Sequence, residues 1–165
     1  MMATVRAKSK IYLVTDPTKA PTKYIGTLRL IQFNSGKIRI NGNLFKLRRG
    51  YHGIHFHPNP DLGDGCKAAG RKLIVQNITV PESEAKNDGD LGSIYANKHG
   101  LARVNIYRKG VLSFDPPADL FRRSIVIHAT VEEDLEKVPN ADPNLLPLFR
   151  TRIACGLIAP RNVKG

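Results

Sequence analysis

A chain of 165 residues with 26 Lys and Arg against 14 Asp and Glu, net +12, is long enough for one hydrophobic core and too short for two, so a single domain over 1–165 is expected. Its longest apolar runs, such as Leu145-Leu146 and Ile125-Val126-Ile127, fall far short of the roughly 20 residues a membrane span needs, and no membrane partner is expected. Residues 1 to 60 hold eleven Lys or Arg and one acid, Asp16, while the other thirteen acids follow residue 60; this asymmetry suggests an anionic partner, with a merely solvated basic face as the plain alternative.

The first ten residues are charged and lack the continuous apolar stretch of a secretory signal. About residues 1–9 therefore read as a basic N-terminal extension, and the location expected by default is intracellular: cytoplasm, viral particle or organelle. From there on, period-2 alternation dominates. Leu28 and Leu30 flank Arg29, and Lys37-Ile38-Arg39-Ile40-Asn41 puts two isoleucines on one face and polar groups on the other, the pattern of a half-buried strand. Gly53-Ile54-His55-Phe56-His57, and Val104 with Ile106, continue the series, and Ser124-Ile125-Val126-Ile127 reads as an apolar strand. Turns fall between the runs at Asn34-Ser35-Gly36, Arg48-Arg49-Gly50, Asp88-Gly89, Lys98-His99-Gly100 and Lys109-Gly110. Many short strands and no amphipathic helix predict an all-β sandwich. Residues 67 to 89 and 129 to 151 do not fit the strand pattern, and loops of that length in a compact domain are usually functional or relics of function.

Cys66 and Cys155 are too far apart for a CxxC motif; they form either one long-range disulfide or two buried thiols, and spacing alone does not choose. Of the five histidines, His55 and His57 sit at i and i+2 of a strand, where alternate residues share a face and both imidazoles can meet one metal. His128 ends the apolar strand at 124–127 and could supply a third imidazole. Three nitrogen donors suit copper or zinc.

Five ordered stretches, Gly50-Tyr51-His52-Gly53-Ile54-His55-Phe56-His57, Gly65-Cys66, Gly89-Asp90-Leu91-Gly92, Ile125-Val126-Ile127-His128 and Arg152-Ile153-Ala154-Cys155-Gly156, give the chain a resemblance to the copper–zinc superoxide dismutases over nearly its whole length. The resemblance implies a Greek-key β-sandwich, or flattened barrel, of about eight antiparallel strands with two long loops. It implies that His55, His57 and His128 are copper ligands and that Cys66 and Cys155 form an intrachain disulfide. Arg152 matches the arginine that guides superoxide to the metal, and Asp90 matches the aspartate among the zinc ligands. His52 matches a structural histidine, and His99 lies in a Lys-His-Gly turn.

The departures from the family pattern concern zinc and turnover. Lys72 stands where the bridging histidine belongs, Asn87 stands at another zinc histidine, and residues 67 to 89 contain no histidine. A protonated ammonium cannot bind a metal, and Asp90 alone cannot hold zinc, so its expected role is turn chemistry in Asp88-Gly89-Asp90. Copper is the expected metal and zinc is not. The apolar run at 145–149, Leu145 to Phe149, makes a poor anion funnel and is expected to be a protein-contact surface. Pro58 and Pro60 alter the loop that helps build the family's homodimer, which puts that dimer in doubt.

The expected function is thus a superoxide dismutase-like pseudoenzyme: a three-histidine copper site, no zinc, and a structural or binding role in a larger viral or organellar assembly. In the family's topology the first three strands and the sixth share a sheet, so Arg29, Lys37, Arg39 and Arg103 are expected on its outer face, available to nucleic acid or another polyanion. The alternative is an active copper-only superoxide dismutase that uses its positive charge to attract substrate. A copper chaperone fits less well, because the chain has no Cys-rich tail.

Overall fold

In the computed structural model, residues 4–71, 73, 75, 89–110, 112–130 and 151–161 are described. Alternation decides which way each strand faces. In β2 (Lys23–Gln32) Leu28 and Leu30 are buried and Arg29 between them is exposed; in β3 (Ile38–Leu44) Ile38 and Ile40 are buried. β6 (Ala102–Arg108) buries Ala102, Val104 and Ile106 and exposes Arg103, Asn105 and Tyr107. With β1 (Val5–Leu13), β4 (Gly50–His57), β5 (Asp90–Ala96), β7 (Ser124–His128), β8 (Arg152–Leu157) and the two-residue β9 (Ala159–Pro160), these strands pair antiparallel in the order β2-β3-β6-β5-β4-β7-β8-β1-β9. β1 also pairs with β2, which closes eight strands into a barrel and leaves β9 outside the ring. This is the all-β flattened barrel expected from the sequence.

The chain's start differs from expectation. Residues 5–9 are not an extension but the first half of β1, paired with β2 from Val5↔Gln32 onward. Their inward residues are Ala7 and Ser9, both buried but too small or polar to register as hydrophobic alternation.

The barrel is filled by one apolar cluster that includes Ile11, Leu28, Leu30, Ile40, Leu44, Ile54, Phe56, Ile125 and Ile127. Each such side chain stabilises the fold by about 1.5–3 kcal/mol through burial. A second, smaller cluster lies on the other side of the wall, where Cys66, Ala69, Val126 and Cys155 pack with Val14 and Leu62. Cys66 and Cys155 are joined as a disulfide, tying the loop after β4 to β8. Among the described residues no helix is long and apolar enough to cross a membrane.

Candidate metal centre

Ile54 and Phe56 point into the core, which turns His55 and His57 to the opposite side of β4. β7 runs antiparallel beside it with Ile54↔Ile127 and His57↔Ser124 in register, so its inward pair Ile125 and Ile127 forces Val126 outward and His128 onto the histidine side. Gly53 makes room there: a Cβ on it would lie 3.5 Å from His55 Cε1 and 3.9 Å from the His128 Cβ. The result is three imidazoles whose ligand atoms lie within 4.8 Å of one another. Among the described residues they are the one group of three or more His, Cys, Asp or Glu arranged to hold a metal ion.

The hydrogen bonds around the rings fix which nitrogen faces the centre. His57 Nδ1 donates to the Gly70 carbonyl at 2.9 Å, leaving its lone pair on Nε2, a buried atom with no hydrogen-bond partner. His55 Nε2 lies 3.4 Å from Asp90 Oδ1, and its Nδ1 is likewise buried without a partner. Orphaned buried nitrogens are costly unless something binds them. A metal with affinity for imidazole fits that need, and the outer partners on the far ring nitrogens are the arrangement that orients metal-binding histidines. Burial lowers the His57 pKa from 6.5 to about 4, helped by Arg152 and His55 and opposed by the Gly70 hydrogen bond. The ring is therefore neutral at pH 7, and no proton competes for Nε2.

Arg152 stands opposite His128 in the β7–β8 register. Its Nη1 donates to the Cys66 carbonyl at 2.9 Å and its Nη2 to the Gly70 carbonyl at 2.6 Å, the same oxygen that holds His57. Gly70 reaches this position with φ +87°, a left-handed conformation that favours glycine, and a Cβ there would lie 2.9 Å from the Asn59 amide nitrogen. Half-burial lowers the Arg152 pKa, yet the group stays cationic. Among the described residues it faces carbonyls rather than a carboxylate, so its charge remains available to a small anion.

His52 spans the carbonyls of His128 (2.9 Å) and Arg48 (2.7 Å) and braces the strand pair from behind. His99 lies in the Asn97 turn, with its backbone N–H bonded to Asn97 Oδ1 at 2.8 Å, and takes no part in the cluster. Asp90 does more than the turn chemistry expected of it. It does make a turn, accepting from the Gly92 N–H at 2.8 Å, but β5 pairs His55↔Asp90, and this register also brings its carboxylate to the His55 ring. No sequence signal pointed to that contact, because it depends on how two separate strands align. Lys72, Asn87 and the run at 145–149 lie outside the described residues.

Comparison with known proteins agrees with this geometry. The family model described as "Copper/zinc superoxide dismutase (SODC)" matches residues 24–158. The chain is 33% identical over 140 residues to an extracellular Cu-Zn superoxide dismutase of Haemonchus contortus, covering 84% of this chain and 75% of that protein. It is 29% identical over 156 residues to an extracellular Cu-Zn superoxide dismutase of Caenorhabditis elegans, covering 93% and 69%. A putative Cu-Zn superoxide dismutase of Autographa californica nuclear polyhedrosis virus is 34% identical over 131 residues, covering 74% and 82%. The names of the first two overturn the intracellular expectation and point to secretion. The expectation failed because ten residues without a signal-like stretch carry little information about where a protein works. The match over residues 24–158 and the converging histidines support one conclusion: the chain belongs to the copper/zinc superoxide dismutase family.

Proposed function

We propose that this protein holds copper through His55, His57 and His128, holds no zinc, and turns over superoxide far more slowly than a complete dismutase, acting as a binding component built on the family's scaffold. The observation that carries the reading is the buried, oriented set of imidazole nitrogens with Nε2 of His57 and Nδ1 of His55 lacking partners. Copper, when bound, supplies reversible one-electron chemistry. The chain's own groups keep the rings neutral, set their tautomers and bring positive charge beside them through Arg152.

Zinc needs about four protein donors in a closed site. Residues 67 to 89 offer no histidine, and Asp90 is engaged with His55 and the Gly92 N–H. Asp90 thereby becomes a positioning residue for a copper ligand. Slow turnover follows from the donor count: His55, His57 and His128 would give copper three imidazoles, enough for the cuprous state and one donor short of what the cupric state would require. Lys72 replaces the residue that would supply both that donor and a proton relay. One observation favours the second reading, an active copper-only dismutase: Arg152 is held beside His57 by two carbonyls, where an incoming anion would need it.

The test is to offer the purified chain copper and zinc together, dialyse, and count metals by mass spectrometry. One copper and no zinc is expected, with the copper lost in His57→Ala. A stoichiometric zinc that survives dialysis would contradict the assignment.

A further inference from the structure

The wall of the barrel opposite the histidines has a composition that neither the core nor the metal centre requires. β1, β2, β3 and β6 are neighbours, and their registers align outward residues in three rows of four. Lys10 aligns with Thr27, Asn43 and Arg103; the next row runs Lys8, Arg29, Asn41, Asn105; the third, Arg6, Ile31, Arg39, Tyr107. Six of these twelve positions are cationic and none is acidic.

This pattern opposes folding. Lys8 and Arg29 are direct cross-strand partners, and like charges so placed are destabilising. Among the described residues, none of the six cations forms an ion pair with a carboxylate. The internal arrangements soften the repulsion without neutralising it: Arg39 Nε donates to Asn105 Oδ1 at 3.0 Å, and Lys37 Nζ and Arg39 Cζ lie 4.8 and 5.6 Å from the Tyr107 ring centre. A counter-charge from outside the chain would remove the cost.

Spacing narrows the choice of counter-charge. Along β1, Arg6, Lys8 and Lys10 recur every second residue, a stride of about 6.8 Å, with strands about 4.8 Å apart across the sheet. That stride is close to the step between successive phosphates of a nucleic-acid strand. The surface belongs to a closed barrel and, among the described residues, has no helix or ribbon to enter a groove, so a rigid duplex would touch it over a small area. A flexible strand can drape across it and reach all three rows. Asparagine amides and the exposed Tyr107 add contacts that tolerate any base.

We propose that this wall binds single-stranded nucleic acid through its phosphates, without sequence preference and independently of copper. Fluorescence anisotropy of a labelled 20-nucleotide oligothymidylate with the full chain tests it. Six phosphate contacts predict a slope of about −4 in log K against log salt. Arg29→Glu with Arg39→Glu should weaken binding by at least about 25-fold at 0.1 M salt, the effect of losing two contacts on that slope. The control pair Arg49→Glu with Lys98→Glu makes the same change in net charge in the turns at 45–49 and 97–101, outside the three rows, and should weaken binding much less. Circular dichroism verifies folding, and Arg29→Ala with Arg39→Ala replaces the reversal pair if it does not fold. Equal affinity with and without copper is expected, so failure here leaves the metal reading intact. Equal losses in both variant pairs would overturn the proposal. So would tighter binding of a same-length duplex or of heparin, or no binding at 50 mM salt.

Discussion

The two walls of this barrel share an inward rule and differ outward. Ile54, Phe56, Ile125 and Ile127 on the histidine side, and Leu28, Leu30, Ile38 and Ile40 on the basic side, bury the same kind of surface in the same core. Outward, β4 and β7 present three imidazoles beneath the Cys66–Gly70 segment and Arg152, whereas β1, β2, β3 and β6 present charge to solvent. The difference sets the range of the forces. Around the histidines burial dominates, so effects are local, large per group and weakly sensitive to salt. On the basic wall charges are screened within about 8–10 Å, so effects are small per residue, cumulative and salt-dependent.

The sharpest break between the walls should come from His57→Ala. It is expected to take copper content from one per chain to below about 0.1 by metal analysis, because only three imidazoles are available, while oligothymidylate binding stays unchanged within about twofold. A parallel loss of nucleic-acid binding would show that the walls are not separate.

Next in size is the disulfide, whose 89-residue separation gives a stabilisation of about 4.6 kcal/mol by loop-closure reasoning. Reduction should lower the urea midpoint accordingly. It should also disturb the histidine wall first, since the Cys66 carbonyl positions Arg152. Hydrogen exchange that loosens β2 and β3 before the Cys66–Gly70 segment would contradict this.

A comparable effect comes from pH. His57 titrates near 4 in the folded apo-protein against 6.5 unfolded, so the fold favours the neutral ring. That contribution is complete above pH 6.5 and is lost as pH falls from 6.5 to about 4, about 3 kcal/mol at 1.36 kcal/mol per pKa unit. Urea titrations of the metal-free protein at pH 7 and pH 4, repeated with His57→Gln, isolate it; an equal acid loss in the variant would assign the effect elsewhere.

The smallest effect belongs to Asp90→Asn. Removing the carboxylate beside His55 Nε2 should weaken copper binding about tenfold and leave the basic wall untouched. An unchanged affinity would return Asp90 to turn chemistry alone.

How much of this was legible in sequence follows the locality of each feature. The His55–Phe56–His57 alternation needs one strand, and period 2 suffices to put both rings on one side. The same rule located Arg29 and Arg39 on an outer face. The start of β1 is not legible as a strand because its inward residues, Ala7 and Ser9, are small or polar and give no hydrophobic alternation. The His55–Asp90 contact and the Gly70 oxygen shared by His57 and Arg152 depend on strand registers and a left-handed glycine, which are set by the whole barrel. Arg6, Lys8 and Lys10 belong to this surface only through the pairing of β1 with β2, which no local pattern encodes.

The measurement closest to the central claim is superoxide decay after pulse radiolysis, with copper-loaded protein at known metal content. A three-imidazole site without a proton relay predicts a rate constant orders of magnitude below the diffusional ceiling of about 10⁹ M⁻¹s⁻¹. A rate near that ceiling, abolished in His128→Ala, would show that three histidines and Arg152 suffice for rapid turnover and would contradict the account.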